Sequence, residues 1–157
     1  MDFLNSVSSG SCLRVAQQLS RGQDPNVNYI GVTPLSMAVE NGDVDMVALL
    51  LNWKADPSVT YYRGKTPQRE AEKMAADEKC KFREEAAEML KLMADEKAVN
   101  ERLVQVKAKI EVMRKHDAKQ MERFVLGVLA VSAVICGLMY VKSLFTASAG
   151  QADTKEL

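Results

Sequence analysis

Apolar residues recur at helical spacing in two short, adjacent segments between residues 33 and 52. The first begins at Thr33-Pro34, where Thr33 can cap a helix and Pro34 can fill its first position, which needs no amide hydrogen. Asn41-Gly42 is typical of a helix end, and Asp43 can cap the segment that follows. The pattern predicts two short antiparallel helices packed as a hairpin. The apolar face of the second helix consists of Val44, Val47, Ala48, Leu50 and Leu51.

The same signals return along the chain at a near-constant period. The Thr-Pro pair recurs 33 residues later, at Thr66-Pro67, and "GQDPN" at 22–26 matches "KADPS" at 54–58 with an offset of 32. Carried back by that offset, residues 2–21 are predicted to form a first helix pair. A third pair reaches its apolar second helix, at 86–92, about six residues later than the period predicts. About three such units are the minimum for a stacked helical solenoid.

The residues that carry this period are "TPLSMA" at 33–38, "NGDVDMVALLL" at 41–51, "ADP" at 55–57 and "GKTP" at 64–67. They resemble an ankyrin repeat, whose unit is a β-turn and two helices over about 33 residues with a T-P-L-H-x-A signature. The resemblance extends from residue 1 to about residue 95. It implies an all-α fold in which residues 1–81 form a short ankyrin-like solenoid with two atypical outer repeats.

Two positions depart from the family signature, Ser36 in place of the usual His and Gln68 in place of the usual Leu. We expect these departures to weaken hydrogen bonding and packing between repeats. The resemblance implies that a protein partner binds the concave surface formed by the turn tips and first helices. An alternative is that Tyr61 and Tyr62 pack on the neighbouring turn; Trp53 is predicted to lie in the core. By position, the resemblance implicates Tyr29, Ile30, Val59, Tyr61, Tyr62 and Arg63 on the tips and Met37, Glu40 and Asn41 on the inner helix.

Residues 82–123 are predicted to form one long charged helix, because no Pro or Gly lies between residues 68 and 126. A heptad register places apolar residues at most a and d positions, most clearly from Val99 to Met113. This stripe predicts a coiled coil, and hence a homo- or hetero-oligomer. For residues 82–95, packing back on the last repeat is an equal alternative. The predicted helix-association residues of this segment are Leu103, Val106, Ile110 and Met113.

Residues 124–141, "FVLGVLAVSAVICGLMYV", contain no charged residue over 18 positions. As a helix this segment rises about 27 Å, close to the hydrocarbon thickness of about 30 Å, so it is predicted to span a lipid bilayer. The alternative is a buried core helix. Ala133 and Gly137 form a small-xxx-small pair that would let another helix approach closely. Residues 142–157 would then be a short polar tail.

Basic residues are unevenly placed around the predicted span, which predicts its orientation. Six precede it within 20 residues, whereas only Lys142 and Lys155 follow it. This asymmetry predicts a single-pass protein with its amino-terminal domain in the cytosol. A span so near the carboxyl end resembles a tail anchor, for which the mitochondrial outer membrane is favoured and the endoplasmic reticulum is second. The six preceding residues are Lys107, Lys109, Arg114, Lys115, Lys119 and Arg123.

The sequence offers little for catalysis or for nucleic-acid binding. Its formal net charge is zero and no basic stripe interleaves with aromatic residues, so no nucleic-acid partner is expected. The one histidine, His116, lies in the charged helix, and the three cysteines lack metal-ligand spacing. The "ADEK" runs at 76–79 and 94–97 are interpreted as solvated helix faces with i,i+4 pairs. We therefore expect no enzyme activity, no catalytic residue, no metal and no cofactor.

Two functions agree with these features. The first is a membrane-anchored adaptor or receptor whose ankyrin-like repeats bind a protein partner in the cytosol. The second is an accessory structural subunit of a larger, possibly mitochondrial, membrane complex, in which the heptad stripe and the Ala133/Gly137 pair face other subunits. The sequence alone does not decide between them.

Overall fold

The computed structural model describes residues 2–150, with side chains for residues 2–126. Over that range the protein is all-helical, apart from two short β-bridges and a 3₁₀ turn at Tyr62–Gly64. One compact unit ends at Met113 and a second begins at Arg114. The helices are α1 (Asp2–Ser8), α2 (Cys12–Ser20), α3 (Pro34–Glu40), α4 (Val44–Asn52), α5 (Pro67–Ala76), α6 (Arg83–Ala94) and α7 (Glu96–Gly150).

Helices α1 to α6 form three antiparallel pairs, α1 with α2, α3 with α4 and α5 with α6. The first helices of successive pairs contact one another, and so do the second helices, so the pairs stack in two layers. This arrangement is the helical repeat that the period of about 33 residues predicts. The third pair ends at Ala94, beyond the boundary at residue 81 that the sequence suggests, because α6 lies after a long connection.

Local capping explains where α3 and α4 begin. The Thr33 hydroxyl accepts a hydrogen bond from the Ser36 amide at 3.2 Å, and the Ser36 hydroxyl accepts one from the Thr33 amide at 3.1 Å. Asp43 accepts from the Met46 amide at 2.9 Å at the start of α4. Each side chain satisfies an amide that the helix itself leaves unpaired. Ser36 therefore stabilises the start of its own helix.

The core is one continuous cluster that runs through all three helix pairs. Leu19, Leu35, Leu50 and Met89 are each at most 2% exposed. Trp53, by contrast, is 38% exposed, so its predicted place in the core is wrong. The reason is that Trp53 is the C-cap residue of α4, where the chain turns away from the core face.

The predicted uninterrupted helix from residue 82 is wrong, because Asp95 separates α6 from α7. Asp95 has an extended backbone, and its carboxylate accepts a hydrogen bond from the Lys97 amide at 2.9 Å. Asp77 does the same after α5, where it accepts from the Lys79 amide at 2.9 Å. Aspartate competes for backbone amides in this way and so favours helix ends. Both "ADEK" runs are therefore helix junctions and not solvated helix faces.

The first part of α7 packs on the repeats. Val99, Leu103 and Val106 are buried and belong to the same core cluster as the repeat helices. Ile110 is half-buried against that cluster, whereas Met113 is 44% exposed. The coiled coil predicted for this stripe is therefore wrong from Val99 to Val106. The stripe is the helical face that closes the repeat core, as expected for an element that caps a solenoid.

Asp45 of α4 holds α7 in place through two ion pairs. Arg102 Nε donates to its carboxylate at 2.8 Å, and Lys109 Nζ donates to the other oxygen. Arg102 also donates to Glu88 of α6 at 2.9 Å. Burial alone would raise the pKa of Asp45, but the hydrogen bonds from Lys109 and Arg102 outweigh it and hold the pKa below its usual value. The carboxylate is therefore stabilised in its charged form in the folded protein.

Replacing Asp45 by asparagine should lower the free energy of unfolding by about 1–2 kcal/mol at pH 7, because the half-buried Arg102 and the exposed Lys109 lose their counter-charge. A carboxylate with a lowered folded-state pKa stabilises the fold above its unfolded pKa of about 3.9 and loses that contribution as the pH falls through the folded-state value. The difference between Asp45→Asn and the parent should therefore shrink below about pH 4. Urea unfolding at several pH values measures it; a difference independent of pH would contradict the role of this network.

The predicted membrane span at 124–141 begins where the described side chains end. Among the described residues, no helix carries an apolar stretch long enough to cross a bilayer. Ala133 and Gly137 lie outside the residues whose side chains are described, as do residues 142–157. The span, the close-packing pair and the polar tail therefore stay predictions.

Candidate protein-binding surface

Two turn tips lie side by side at the edge of the repeats. In the first, Tyr29 and Val32 exchange backbone hydrogen bonds of 2.9 and 3.1 Å around Ile30 and Gly31. In the second, the Tyr61 amide donates to the Lys65 carbonyl at 2.8 Å around the 3₁₀ turn. The Tyr62 amide donates to the Gly31 carbonyl at 2.8 Å and joins the two tips. The tips therefore form one continuous surface, which we call the tip surface (residues 29–32 and 61–65).

Ile30 occupies the apex of the first tip with an unusual backbone conformation. Its φ is +52°, in the left-handed region that β-branched residues rarely adopt. This conformation costs a non-glycine residue roughly 1–2 kcal/mol. Its side chain is 85% exposed, so little burial within the described residues offsets that cost. A strained, exposed apolar residue points to a role in contact with another molecule.

The second tip presents an aromatic and cationic pair. Tyr62 is 58% exposed, and the Arg63 guanidinium lies 5.0 Å from the centre of its ring. This cation–π contact favours one arrangement of the two side chains. Tyr29 of the first tip is also exposed. Large side chains with few rotatable bonds suit an interface, because ordering them on binding costs little entropy.

The other predicted contact residues divide into exposed and covered ones. Glu40 and Asn41, at the end of α3, are exposed, whereas Val59 is half-buried. Met37 is half-buried against the repeat core. Tyr61 is only 7% exposed, so its predicted place on an exposed tip is wrong. Its backbone bridge to Lys65 turns the side chain inward, whereas the next residue, Tyr62, points outward.

A cavity of about 190 Å³ opens between the tip surface and α3. The Tyr61 hydroxyl is buried and makes no hydrogen bond of normal geometry within the described residues. Burial raises the pKa of Tyr61 above its usual value, and the nearby carboxylates of Glu40 and Glu70 raise it further. The phenol is therefore protonated at neutral pH. The cavity is lined by Val32, Ser36, Glu40, Tyr61, Tyr62 and Lys65.

Sequence reasoning missed Val32, Ser36 and Lys65 as lining residues of this cavity. The available signal was the departure at Ser36, because a serine leaves space where the larger histidine is usual in the family. Interpreting that departure only as lost hydrogen bonding overlooked the space. The position of Lys65 follows from the turn geometry, for which no equally clear sequence signal exists.

The thiol of Cys12 lies in a setting that lowers its reactivity. No cluster of three or more His, Cys, Asp or Glu side chains within that part of the chain could hold a metal ion. Burial, together with the charges of Asp43 and Asp45, raises the pKa of the Cys12 thiol to about 11. This thiol therefore stays protonated and weakly nucleophilic at neutral pH. His116 is exposed, with Nδ1 3.9 Å from an Asp117 carboxylate oxygen.

Comparison with known proteins agrees with this description of the repeats. The 2-5A-dependent ribonuclease of Mus musculus is 42% identical over 67 residues, which cover 41% of this chain and 9% of that enzyme. The chain thus spans a small part of the length of this relative. Residues 30–61, which include α3, α4 and parts of both tips, match the ankyrin-repeat family. The chain therefore contains an ankyrin repeat, a type of module that generally mediates binding between proteins.

Proposed function

We propose that this protein is a membrane-anchored interaction module, an adaptor or receptor whose tip surface binds a protein partner in the cytosol. The observation that supports this most strongly is Ile30, which is strained and 85% exposed at the apex of a tip. Exposed Tyr29 and Tyr62 adjoin it and extend the apolar surface. Such residues at the centre of a contact supply most of the binding energy in protein interfaces.

The membrane anchor is proposed from the uncharged run at 124–141. Three residues of this run have described side chains, Phe124, Val125 and Leu126, and they are 68%, 49% and 59% exposed. Three consecutive exposed apolar residues are unfavourable in water and are stabilised in lipid. The excess of Lys and Arg before the run supports a cytosolic repeat domain. We favour the mitochondrial outer membrane over the endoplasmic reticulum, and a binding role without catalysis.

The alternative is an accessory subunit of a larger membrane complex. Before the uncharged run, four large apolar residues of α7 are exposed, which supports this alternative because a neighbouring subunit would cover them. In that case the tip surface would be occupied permanently instead of binding reversibly. The exposed residues are Val104, Val112, Met113 and Met121.

Native electrophoresis of gently solubilised membranes separates these two functions. If the protein is an adaptor or receptor, a tagged full-length chain should migrate as a small species with partners in variable amounts. Migration of nearly all the chain in one large complex of fixed composition would support the accessory subunit instead. In the same membranes, alkaline extraction should leave the full chain in the pellet and release a variant lacking residues 124–141. Release of the full chain would contradict the anchor.

A further inference from the structure

We propose that the cavity between α3 and the tip surface receives a lysine or arginine side chain of the protein partner. The Tyr61 hydroxyl and the Glu40 carboxylate would hold its cationic group. This inference rests on the proposed function and adds to it the chemistry of the bound segment. Three features of the cavity support it: a buried hydroxyl without a hydrogen bond of normal geometry, a carboxylate without an ion pair, and a shape suited to a long side chain.

The first feature is the Tyr61 hydroxyl. Tyr61 is 7% exposed, and its hydroxyl makes no hydrogen bond of normal geometry among the described residues, although the Glu40 carboxylate lies near it. Buried hydroxyl groups in folded proteins are normally hydrogen-bonded, because leaving one unpaired is unfavourable. The hydroxyl can accept a hydrogen bond from an ammonium or guanidinium group and donate its own proton to a carboxylate. A bound cation would therefore satisfy it.

The second feature is the charge around the cavity. The Lys65 ammonium lies 3.1 Å from one Glu70 carboxylate oxygen, and Lys73 lies 3.8 Å from the other. Glu40 forms no ion pair with any residue in the described part of the chain. The carboxylate without a counter-charge at the cavity is therefore that of Glu40. It attracts a cation and repels an acidic side chain of a partner.

The third feature is the shape and lining. At about 190 Å³ the cavity is several times larger than the roughly 30 Å³ that one water occupies in the liquid, so it has room for a long side chain. Ser36 lines it but already donates its hydroxyl proton to the Thr33 carbonyl at 2.8 Å. Val32 and the Tyr62 ring provide apolar walls for the methylene stem of lysine or arginine.

Ile30 indicates what kind of residue lies next to the lysine or arginine in the bound segment. It lies in the tip that neighbours the cavity and is almost fully exposed. An apolar residue of the partner close in sequence to the lysine or arginine would cover it. The bound segment is therefore a basic residue with an apolar neighbour, in an exposed stretch of another protein.

Selection from a phage-displayed library of random peptides on the purified full-length chain tests this inference. The enriched peptides should share one lysine or arginine with an apolar residue nearby. Replacing that basic residue by norleucine should weaken binding by about 10-fold to 100-fold. Glu40→Gln and Tyr61→Phe should each weaken it about tenfold or more. Glu84→Gln, which removes an exposed carboxylate on α6, should leave the affinity unchanged.

Tyr61→Phe also separates a binding role from a structural one. Because the buried hydroxyl makes no hydrogen bond of normal geometry in the free protein, its removal should leave the melting temperature unchanged or raise it while the affinity falls. A lower melting temperature would contradict the inference, as would enrichment of acidic or purely apolar peptides, or no enrichment. Selected peptides whose affinity depends on Ile30 and Tyr62 but not on Glu40 would overturn this inference and leave the proposed function intact.

Discussion

Replacing Gly42 by alanine is expected to lower the free energy of unfolding by about 2–5 kcal/mol. Gly42 has a φ of +71°, a left-handed conformation that costs alanine roughly 1–2 kcal/mol. A Cβ atom at this position would also lie 2.5 Å from Cδ1 and 2.6 Å from Cγ of Phe82, so the ring would have to move. Such overpacking typically adds about 1–3 kcal/mol. Urea unfolding followed by the fluorescence of Trp53, the one tryptophan in the sequence, measures the loss.

Two controls separate the backbone strain from the clash. Gly22 has a φ of +92°, and a Cβ atom added there would meet no other atom within 4 Å. Gly22→Ala therefore tests backbone strain alone and should lower the free energy of unfolding by about 1–2 kcal/mol. Phe82→Ala removes the ring. In a protein that carries this substitution, Gly42→Ala should lower the free energy of unfolding by no more than Gly22→Ala does. Equal losses for the two single alanine variants would show that Phe82 does not pack on the turn.

Replacing Leu103 by aspartate should destabilise the repeats by at least about 3 kcal/mol, because it places an unpaired carboxylate in the core. Leu103 is 2% exposed on the face of α7 that closes the repeats. Its neighbour Val104 is 69% exposed, so Val104→Asp is a matched control and should change stability by no more than about 0.5 kcal/mol. Thermal unfolding of the two full-length variants measures the difference.

The same variants distinguish packing on the repeats from a coiled coil. If Leu103 packed against a second copy of the chain, the melting temperature of the parent would rise with protein concentration. We expect a melting temperature that is independent of concentration, together with faster amide exchange in α4 of Leu103→Asp. A concentration-dependent transition, or amide exchange unchanged in α4, would contradict the packing of α7 on the repeats.

Much of the repeat fold is predictable because its signals are local. Thr33, Pro34 and Asp43 act within three or four residues of their own position, so their sequence context is nearly their structural context. The helix breaks at Asp77 and Asp95 are equally local, but the "ADEK" run suits a helix interior as well as a helix end. Charge spacing favours the first interpretation. In the structure each aspartate carboxylate instead accepts a hydrogen bond from the amide two residues later, and this bond ends the helix.

The partners of exposed or apolar faces are less predictable. A heptad stripe identifies which face of α7 is buried, but not whether a second chain or the repeat core covers it. Tyr61 and Tyr62 are adjacent and chemically identical, and only the backbone bridge between Tyr61 and Lys65 turns one inward and the other outward. The cavity between them and α3 depends on that bridge. Contacts between distant residues decide such features, and no short sequence pattern encodes them.

The most direct test of a protein-binding tip surface is site-specific photocrosslinking in the cells that normally make the protein. A benzoyl-phenylalanine at position 62 should crosslink to a defined protein, because Tyr62 is 58% exposed on that surface. The same group at the exposed position of Glu84 on α6 should not. One reproducible protein captured from position 62 alone is the predicted result. No crosslink from position 62, or the same products from both positions, would contradict the proposed function.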